Sequence, residues 1–349
     1  MSGKWNKSIQ LAAVYVGTIV GAGFATGKEI VEFFTRFGFI GLLGMILGGY
    51  LFISMGTKLM LVAIETGSKS YQELNIVLFG RIFGTGINVL MLFILLGVNA
   101  VMLSGAGAVF EEQLNIPREI GVFGTIFLAI LVLAVGTKGL FAVNTFVVPM
   151  MVAFSFLLMF LSMRLPDFVE HVMWIPPQDD GWKSVLSPFT YTALNLSLAQ
   201  AVLVPVASEI NDKDIVKWGG RLGGLLLTLI LLSSHFTLVM LDHVTLYEIP
   251  MAIMMKTLAG GLFWIFIIII YGEIFTSVIG NTFGLERQIK QYLPIKSTWI
   301  ISIIFIITYF ISIVEYGTLL SILYPVFGYI GLAFLILLWM RPYDRIRKQ

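Results

Sequence analysis

Four glycines, Gly17, Gly21, Gly23 and Gly27, fall within eleven positions of one apolar stretch that ends at Lys28 and Glu29. A glycine inside a helix costs roughly 1 kcal/mol relative to alanine, so this spacing predicts an interrupted helix. Interrupted backbone at membrane depth is tolerated only where protein or a water-filled cavity surrounds it. The chemistry on offer is ion and ligand capture. The amides of Gly21, Ala22 and Gly23 would present a positive helix end to an anion, and carbonyls around Gly17 and Val20 would offer oxygen to a cation. The same glycines also suit close packing of one helix on another. A second set, Glu273, Thr276 and Ser277, is spaced to share one helix face. An ionisable group within an apolar segment is a functional hypothesis by default, and Glu273 could ligate a cation, carry a coupling proton or pair with Lys28. The hydroxyls of Thr276 and Ser277 could equally bond back to their own helix. A third set, Asn195, Ser197 and Gln200, lies between Pro188 and Pro205, each of which removes a backbone donor. Asn99 needs partners for its amide in an apolar setting.

These sets must be positioned by membrane helices. The chain has 349 residues, 58% hydrophobic and 12% charged, with mean hydropathy +0.94, far from the soluble balance. A net charge of +2 with dispersed basic residues carries no nucleic-acid signal. The absence of cysteine excludes disulfides, thiol catalysis and cysteine-bound metal. Lys4 and Lys7 ahead of an apolar run raise the alternative of a cleaved signal peptide, but the helix-like pattern continues and no soluble domain follows.

Spans of about 20 residues divide the chain into ten segments, near 9–37, 38–63, 82–110, 120–135, 139–163, 185–207, 218–241, 257–283, 298–314 and 317–340. Placing the N-terminus inside assigns sixteen Lys and Arg to inner loops and tails, five to outer ones, and Lys28 to the first helix. The inner set is Lys4, Lys7, Lys58, Lys69, Arg81, Lys138, Lys213, Lys217, Arg221, Arg287, Lys290, Lys296, Arg341, Arg345, Arg347 and Lys348. Both termini are therefore expected in the cytoplasm and the protein in the cell membrane. Residues 164–184, with Pro166, Pro176, Pro177, Asp179 and Asp180, separate two five-helix halves, 8–163 and 185–340. An odd number of helices per half gives the halves opposite orientation, the arithmetic of an inverted repeat within a single transmembrane domain, 1–349. The sixth segment should then be broken like the first, and its polar run lies mid-span. Trp5, Trp174, Trp182, Trp218, Trp299 and Trp339 fall near segment ends as interfacial anchors, and 65–81 reads as an amphipathic inner connector.

The run from Gly17 to Gly23 resembles the first-helix break of the amino acid-polyamine-organocation superfamily and its sodium-coupled LeuT-fold relatives. The run from Asn195 to Leu198 resembles their sixth-helix break, and Gly23 to Glu29 is similar to YkvI-type membrane proteins. The resemblance implies an all-α transporter fold with broken helices 1 and 6. It implies a Na+ site from the carbonyls of Gly17, Val20 and Glu273 with the hydroxyls of Thr276 and Ser277, all oxygen donors as a hard cation requires. It implies solute contacts at Thr18, Gly21, Ala22, Gly23, Asn195, Ser197, Gln200 and Asn281, with Asn99 added and Phe24 as a wall. Glu273 departs from the family pattern and keeps H+ open in place of Na+. Lys28 and Glu29 are gate candidates, with an acid such as Glu315.

The expectation is a secondary active transporter moving a small organic solute, an amino acid foremost, by Na+-coupled alternating access. A proton-coupled carrier and a non-transporting sensor of the same fold are the alternatives. A channel would need a sustained polar stripe, which no segment shows. An enzyme would need a nucleophile with its base or a metal set, which His171, His235 and His243 do not supply. His235, beside Ser233 and Ser234, suits helix packing better than proton relay.

Overall fold

The computed structural model describes residues 2–135, 138–177, 181–293 and 295–340, with only the backbone given for 2, 3, 135, 138–146, 291 and 292. Asp179, Asp180, Arg341, Arg345, Arg347 and Lys348 lie outside the described residues, as does the side chain of Lys138.

The described chain is all helical. The first apolar segment forms three pieces, α1 (Ser2–Ile19), α2 (Ala22–Thr26) and α3 (Lys28–Phe33). Then come α4 (Gly38–Leu51), a π turn over 52–56, and α5 (Thr57–Thr66). Next are α6 (Tyr71–Ala108), α7 (Arg118–Val135), α8 (Lys138–Ser162) and the short α9 (Phe168–Met173). The second half holds α10 (Gly181–Ile210), α11 (Lys213–Leu238), α12 (Pro250–Ala259), α13 (Phe263–Tyr292), α14 (Ser297–Ser312) and α15 (Tyr316–Met340). Each expected apolar segment is thus helical. Among the described residues, six stretches are long and apolar enough to cross a membrane: Lys28–Thr66, Tyr71–Gln113, Gly181–Ile210, Lys213–Leu238, Pro250–Lys290 and Tyr316–Met340.

Glycines set the closest approaches. A Cβ on Gly219 would fall 2.7 Å from Leu11, and one on Gly223 would fall 2.6 Å from Tyr15, so α1 lies directly on α11. The Tyr15 hydroxyl donates to the Phe52 carbonyl at 2.8 Å, at the start of the π turn. Small residues let helix backbones meet in this way where lipid offers no hydrophobic drive between them. The counterpart seam joins α15 to α10, with Gly328 on Thr190 and Gly331 on Ala193.

The 65–81 connector takes a different form from a simple amphipathic link. Ser70 caps the helix by accepting from the Glu73 N–H at 3.2 Å, and Glu73 accepts from the Lys69 N–H at 2.8 Å. That reciprocal cap begins α6 at Tyr71, and left-handed Gly80 (φ 78°) then turns the short arm back onto the long helix. Asn75 Nδ2 clasps Asn88 Oδ1 across this turn at 2.9 Å.

Candidate functional site

The first helix breaks where the glycines placed it, between Val20 and Gly21. Gly17 and Gly23 stay helical. Gly21 is extended (φ −123°, ψ −167°) and opens α2, whose Ala25 N–H returns to the Gly21 carbonyl at 2.9 Å. A second break follows at Gly27, whose φ of +82° is a left-handed conformation that a side chain resists. α2 is therefore a five-residue helix between two bends, packed on α13, α12 and α6.

The expected break in the sixth segment is not there. α10 runs unbroken from Gly181 to Ile210 through both Pro188 and Pro205. Its polar side chains bond back to their own helix instead of unwinding it. Thr192 donates to the Pro188 carbonyl at 2.8 Å and Asn195 Nδ2 to the Tyr191 carbonyl at 3.0 Å.

Nor does α10 gather its three polar residues. At roughly 100° per residue, Asn195 and Ser197 lie on opposite faces. Asn195 meets the first helix, with Nδ2 at 3.3 Å from Glu29 Oε1. Ser197 faces Gly331 of α15, and its hydroxyl is buried without a partner. Gln200 is wholly buried, with neither amide atom hydrogen-bonded. Asn99 donates to Thr282 at 3.1 Å, joining α6 to α13 one residue beyond half-buried Asn281. Thr18 returns its hydrogen to the Val14 carbonyl at 2.7 Å, and Phe24 is core.

On α13, Ser277 is set opposite the first break: a Cβ on Gly21 would lie 3.8 Å from Ser277 Oγ. Thr276 donates to the Glu273 carbonyl at 3.2 Å, which leaves its oxygen lone pairs free. Glu273 is 2% exposed, and its Oε1 has no hydrogen-bond partner. Going from there toward the end of the bundle that holds the N-terminus, Ser277 and Asn281 are half-buried and Gly284 is exposed.

Lys28 is not paired with Glu273. Its ammonium donates to the carbonyls of Thr245 at 2.9 Å and Tyr247 at 2.7 Å. Glu248, in the same loop, accepts from the Gly317 N–H at 2.5 Å, and Glu112 accepts from the N–H groups of Glu248 and Ile249 at 3.3 and 2.8 Å. Lys28, Glu112 and Glu248 thus tie α3, the end of α6 and the start of α15 to one loop. The expected acid, Glu315, lies within electrostatic reach of Lys28, as do Glu248 and Glu112, which no sequence pattern marks because their hydrogen-bond partners are backbone groups. Glu29, adjacent to Lys28, points elsewhere, since neighbouring residues on a helix do not share a face. It folds back so that Oε2 touches Gly23, where an added Cβ would collide with it.

His235 bonds Thr35 through Nδ1 at 3.2 Å, beside a Ser155, Ser233 and Ser234 cluster. His235 Nε2 is buried without a hydrogen-bond partner. A cavity of about 530 Å³ opens nearby, lined by Thr35, Arg36, His171, Trp174, Asp242 and His243, and contains none of the predicted site residues. Among the described residues no three His, Asp or Glu converge to hold a metal ion.

The helical bundle, its membrane-length stretches and its broken first helix define a multi-pass membrane protein. The chain belongs to the YkvI family: it is 48% identical to the membrane protein YkvI of Bacillus subtilis (strain 168) over 97% of both chains. The protein YyaD of the same organism is 23% identical over 97% of this chain and 98% of its own. No family model matches the chain. Among solved structures, the manganese transporter of Eremococcus coleocola superposes with TM-score 0.59 at 15% identity, covering 98% of this chain and 80% of that one. Mhp1, a nucleobase-cation-symport-1 family transporter, gives TM-score 0.50 at 11% identity over 96% of this chain and 72% of its own. At these identities the likeness concerns the fold.

Proposed function

We propose that the chain is a secondary active transporter of ten spans, built as two inverted five-helix repeats, that carries a small organic solute, an amino acid foremost, coupled to Na+. The observation that carries this reading is the break at Val20 and Gly21, held against α13 within a transporter fold.

The packing pattern supports the repeat. Exchanging first-half for second-half helices turns α1 on α11 into α10 on α4 and α5, α8 on α13 into α15 on α6, and α7 on α6 into α14 on α13; all of these packings are present. The exception is informative. α15 is seamed tightly onto α10, while among the described residues no seam of that kind joins α1 to α8. With both termini cytoplasmic in the cell membrane, that asymmetry is an inward-open state. The Lys28, Glu112 and Glu248 ties close the outer side, and Ser277, Asn281 and Gly284 line the inner approach.

Na+ would lie between the carbonyls of Gly17, Val20 and Glu273 and the hydroxyls of Thr276 and Ser277, a donor set of oxygens suited to a hard cation. The solute would lie beside Gly21, Ala22, Gly23 and Asn195. A second reading, proton coupling, is favoured by the buried, unpartnered Oε1 of Glu273. Uptake of radiolabelled amino acids into proteoliposomes under separate Na+ and H+ gradients tests both. Na+-driven accumulation lost in Thr276→Ala with Ser277→Ala supports the first. H+-driven accumulation lost in Glu273→Gln supports the second, and accumulation under neither gradient refutes coupled transport.

A further inference from the structure

Glu29 is 6% exposed at mid-bundle, and among the described residues it makes no ion pair. Lys28 is occupied by the Thr245 and Tyr247 carbonyls, and Arg36 pairs with Glu32 at 2.6 Å. A carboxylate buried without a counter-charge is strongly destabilising, so chains that retain one have a use for it. The Tyr191 hydroxyl faces the Glu29 carboxylate outside good hydrogen-bond geometry, and the other donor, Asn195 Nδ2, stands at 3.3 Å, well beyond the 2.7–2.9 Å or so of a tight charge-assisted bond. That contact is loose enough for a better donor to replace it.

The surroundings say which donor. Three buried tyrosines, Tyr191, Tyr316 and Tyr324, lie within electrostatic reach of the carboxylate. The Tyr191 hydroxyl is buried, and Glu29 is the group it faces, outside good hydrogen-bond geometry. Tyr316 is fixed by Thr26 at 2.8 Å, one turn from the first break. A carboxylate framed by aromatic rings is the chemistry that receives an organic cation, through charge and through the ring faces together. A divalent metal is poorly served, because among the described residues Glu29 belongs to no group of three or more His, Asp or Glu side chains.

We propose that Glu29, between α2 and α10, binds the protonated amine of the transported solute, with Asn195 and the tyrosines as its frame. This rests on the transporter reading above and deepens it: the amine, rather than the carboxylate, is the end of the solute that is recognised. The carboxylate of Glu29 lies against Gly23, beside the amides that a solute carboxylate would need, and repels it.

The test is thermal stabilisation of purified protein by glycine, alanine, leucine and lysine, by their amides, which keep only the amine, and by their N-acetyl derivatives, which keep only the carboxylate. Ligands that bind the folded state alone raise Tm by mass action. The amides of whichever amino acids bind are expected to stabilise the wild type while the N-acetyl forms do not. Glu29→Gln should weaken the amine response by about tenfold or more, the scale of a lost charge-assisted bond. Glu29→Asp, which keeps the charge, should retain part of it and shows that the loss is not misfolding. Stabilisation by N-acetyl derivatives overturns the proposal. So does an amine response that survives Glu29→Gln, a Mn2+ response that Glu29→Gln removes, or no response to any of the compounds. If the N-acetyl forms bind and an ion gradient still drives uptake, this inference fails and coupled transport stands. If the amides bind but no gradient drives accumulation, coupled transport fails and the amine site stands.

Discussion

Replacing Gly23 with alanine sets two effects against each other at one atom. Gly23 is helical with a negative φ, so alanine is conformationally welcome and gains roughly 1 kcal/mol in helix propensity. Its Cβ, however, would land on Glu29 Oε2 and lie 3.3 Å from Glu29 Cβ, so the carboxylate has to leave. The displaced carboxylate stays buried without its Asn195 donor, and an unsatisfied buried acceptor costs about 1.5–3 kcal/mol. The net is a destabilisation of roughly 0.5–2 kcal/mol, a modest fall in Tm with the fold intact. Two controls fix the interpretation. A Cβ on Gly17 meets only the Val148 methyls at 3.9 Å, and one on Gly21 meets Ser277 Oγ at 3.8 Å, both ordinary contacts. Gly17→Ala should therefore be neutral to stabilising. The assay is Tm by intrinsic fluorescence, with amino-acid uptake measured on the same preparations. Gly23→Ala should lose uptake; Gly17→Ala, at a position whose carbonyl is a proposed Na+ donor, is the control for stability alone. A Gly23→Ala protein that gains stability and transports like the wild type would refute the placement of Glu29.

Gly331→Val puts side-chain atoms where Ala193 backbone stands 2.9 Å from the first added carbon, so the α10 and α15 seam must part at a cost of about 1–3 kcal/mol, visible as a fall in Tm. Lys28→Met removes two hydrogen bonds to loop carbonyls and should shift the bundle toward outer opening by about 1.5–3 kcal/mol, roughly 10- to 100-fold. Because the chain has no cysteine, a single Thr26→Cys background reports this as faster labelling by an impermeant thiol reagent, and an unchanged rate would reject the tie. At the inner end, the hydrogen bond from Lys4 and the N–H groups of Ile215 and Asp214 hold the Asp212 carboxyl below the usual carboxylate range. A depressed folded-state value contributes stability that is present above the unfolded value of about 4 and is lost as pH falls through the folded one, so the amide protection factors at the start of α1 should fall in acid. Asp212→Ala should show that lower protection already at neutral pH.

The fold was readable because its signals are local. Twenty-residue apolar runs and four clustered glycines are visible without any partner, and both became what they promised, a helical bundle with a first helix broken between Val20 and Gly21. The second bend, at Gly27, falls on the last of those glycines, although nothing in the run of residues separates it from the first. The sixth helix misled because Asn195, Thr192 and two prolines look the same in sequence whether the backbone unwinds around them or accepts their bonds in place. Glu29 was read as a gate by its proximity to Lys28. Only the packing of α10 against the first helix turns it inward to Asn195, and contacts between residues 166 positions apart leave no periodic trace. Glu112 and Glu248 were hidden for a related reason, since backbone amides as partners have no sequence signature.

A rod with one bend transmits a tilt from one end to the other; a rod with two, separated by a short stiff link, need not. α2 is such a link, five residues between Val20 with Gly21 on one side and Gly27 on the other. α1, packed on α11, can tilt at the first bend while α3 stays moored at Lys28, with α2, buried against α13 and α12, as the link between them. The mechanical result is decoupling: the inner doorway can move without the outer one feeling it, and the two are synchronised only by whatever grips the link from both sides. In this protein that grip falls to Ser277 on one flank and the carboxylate of Glu29 on the other.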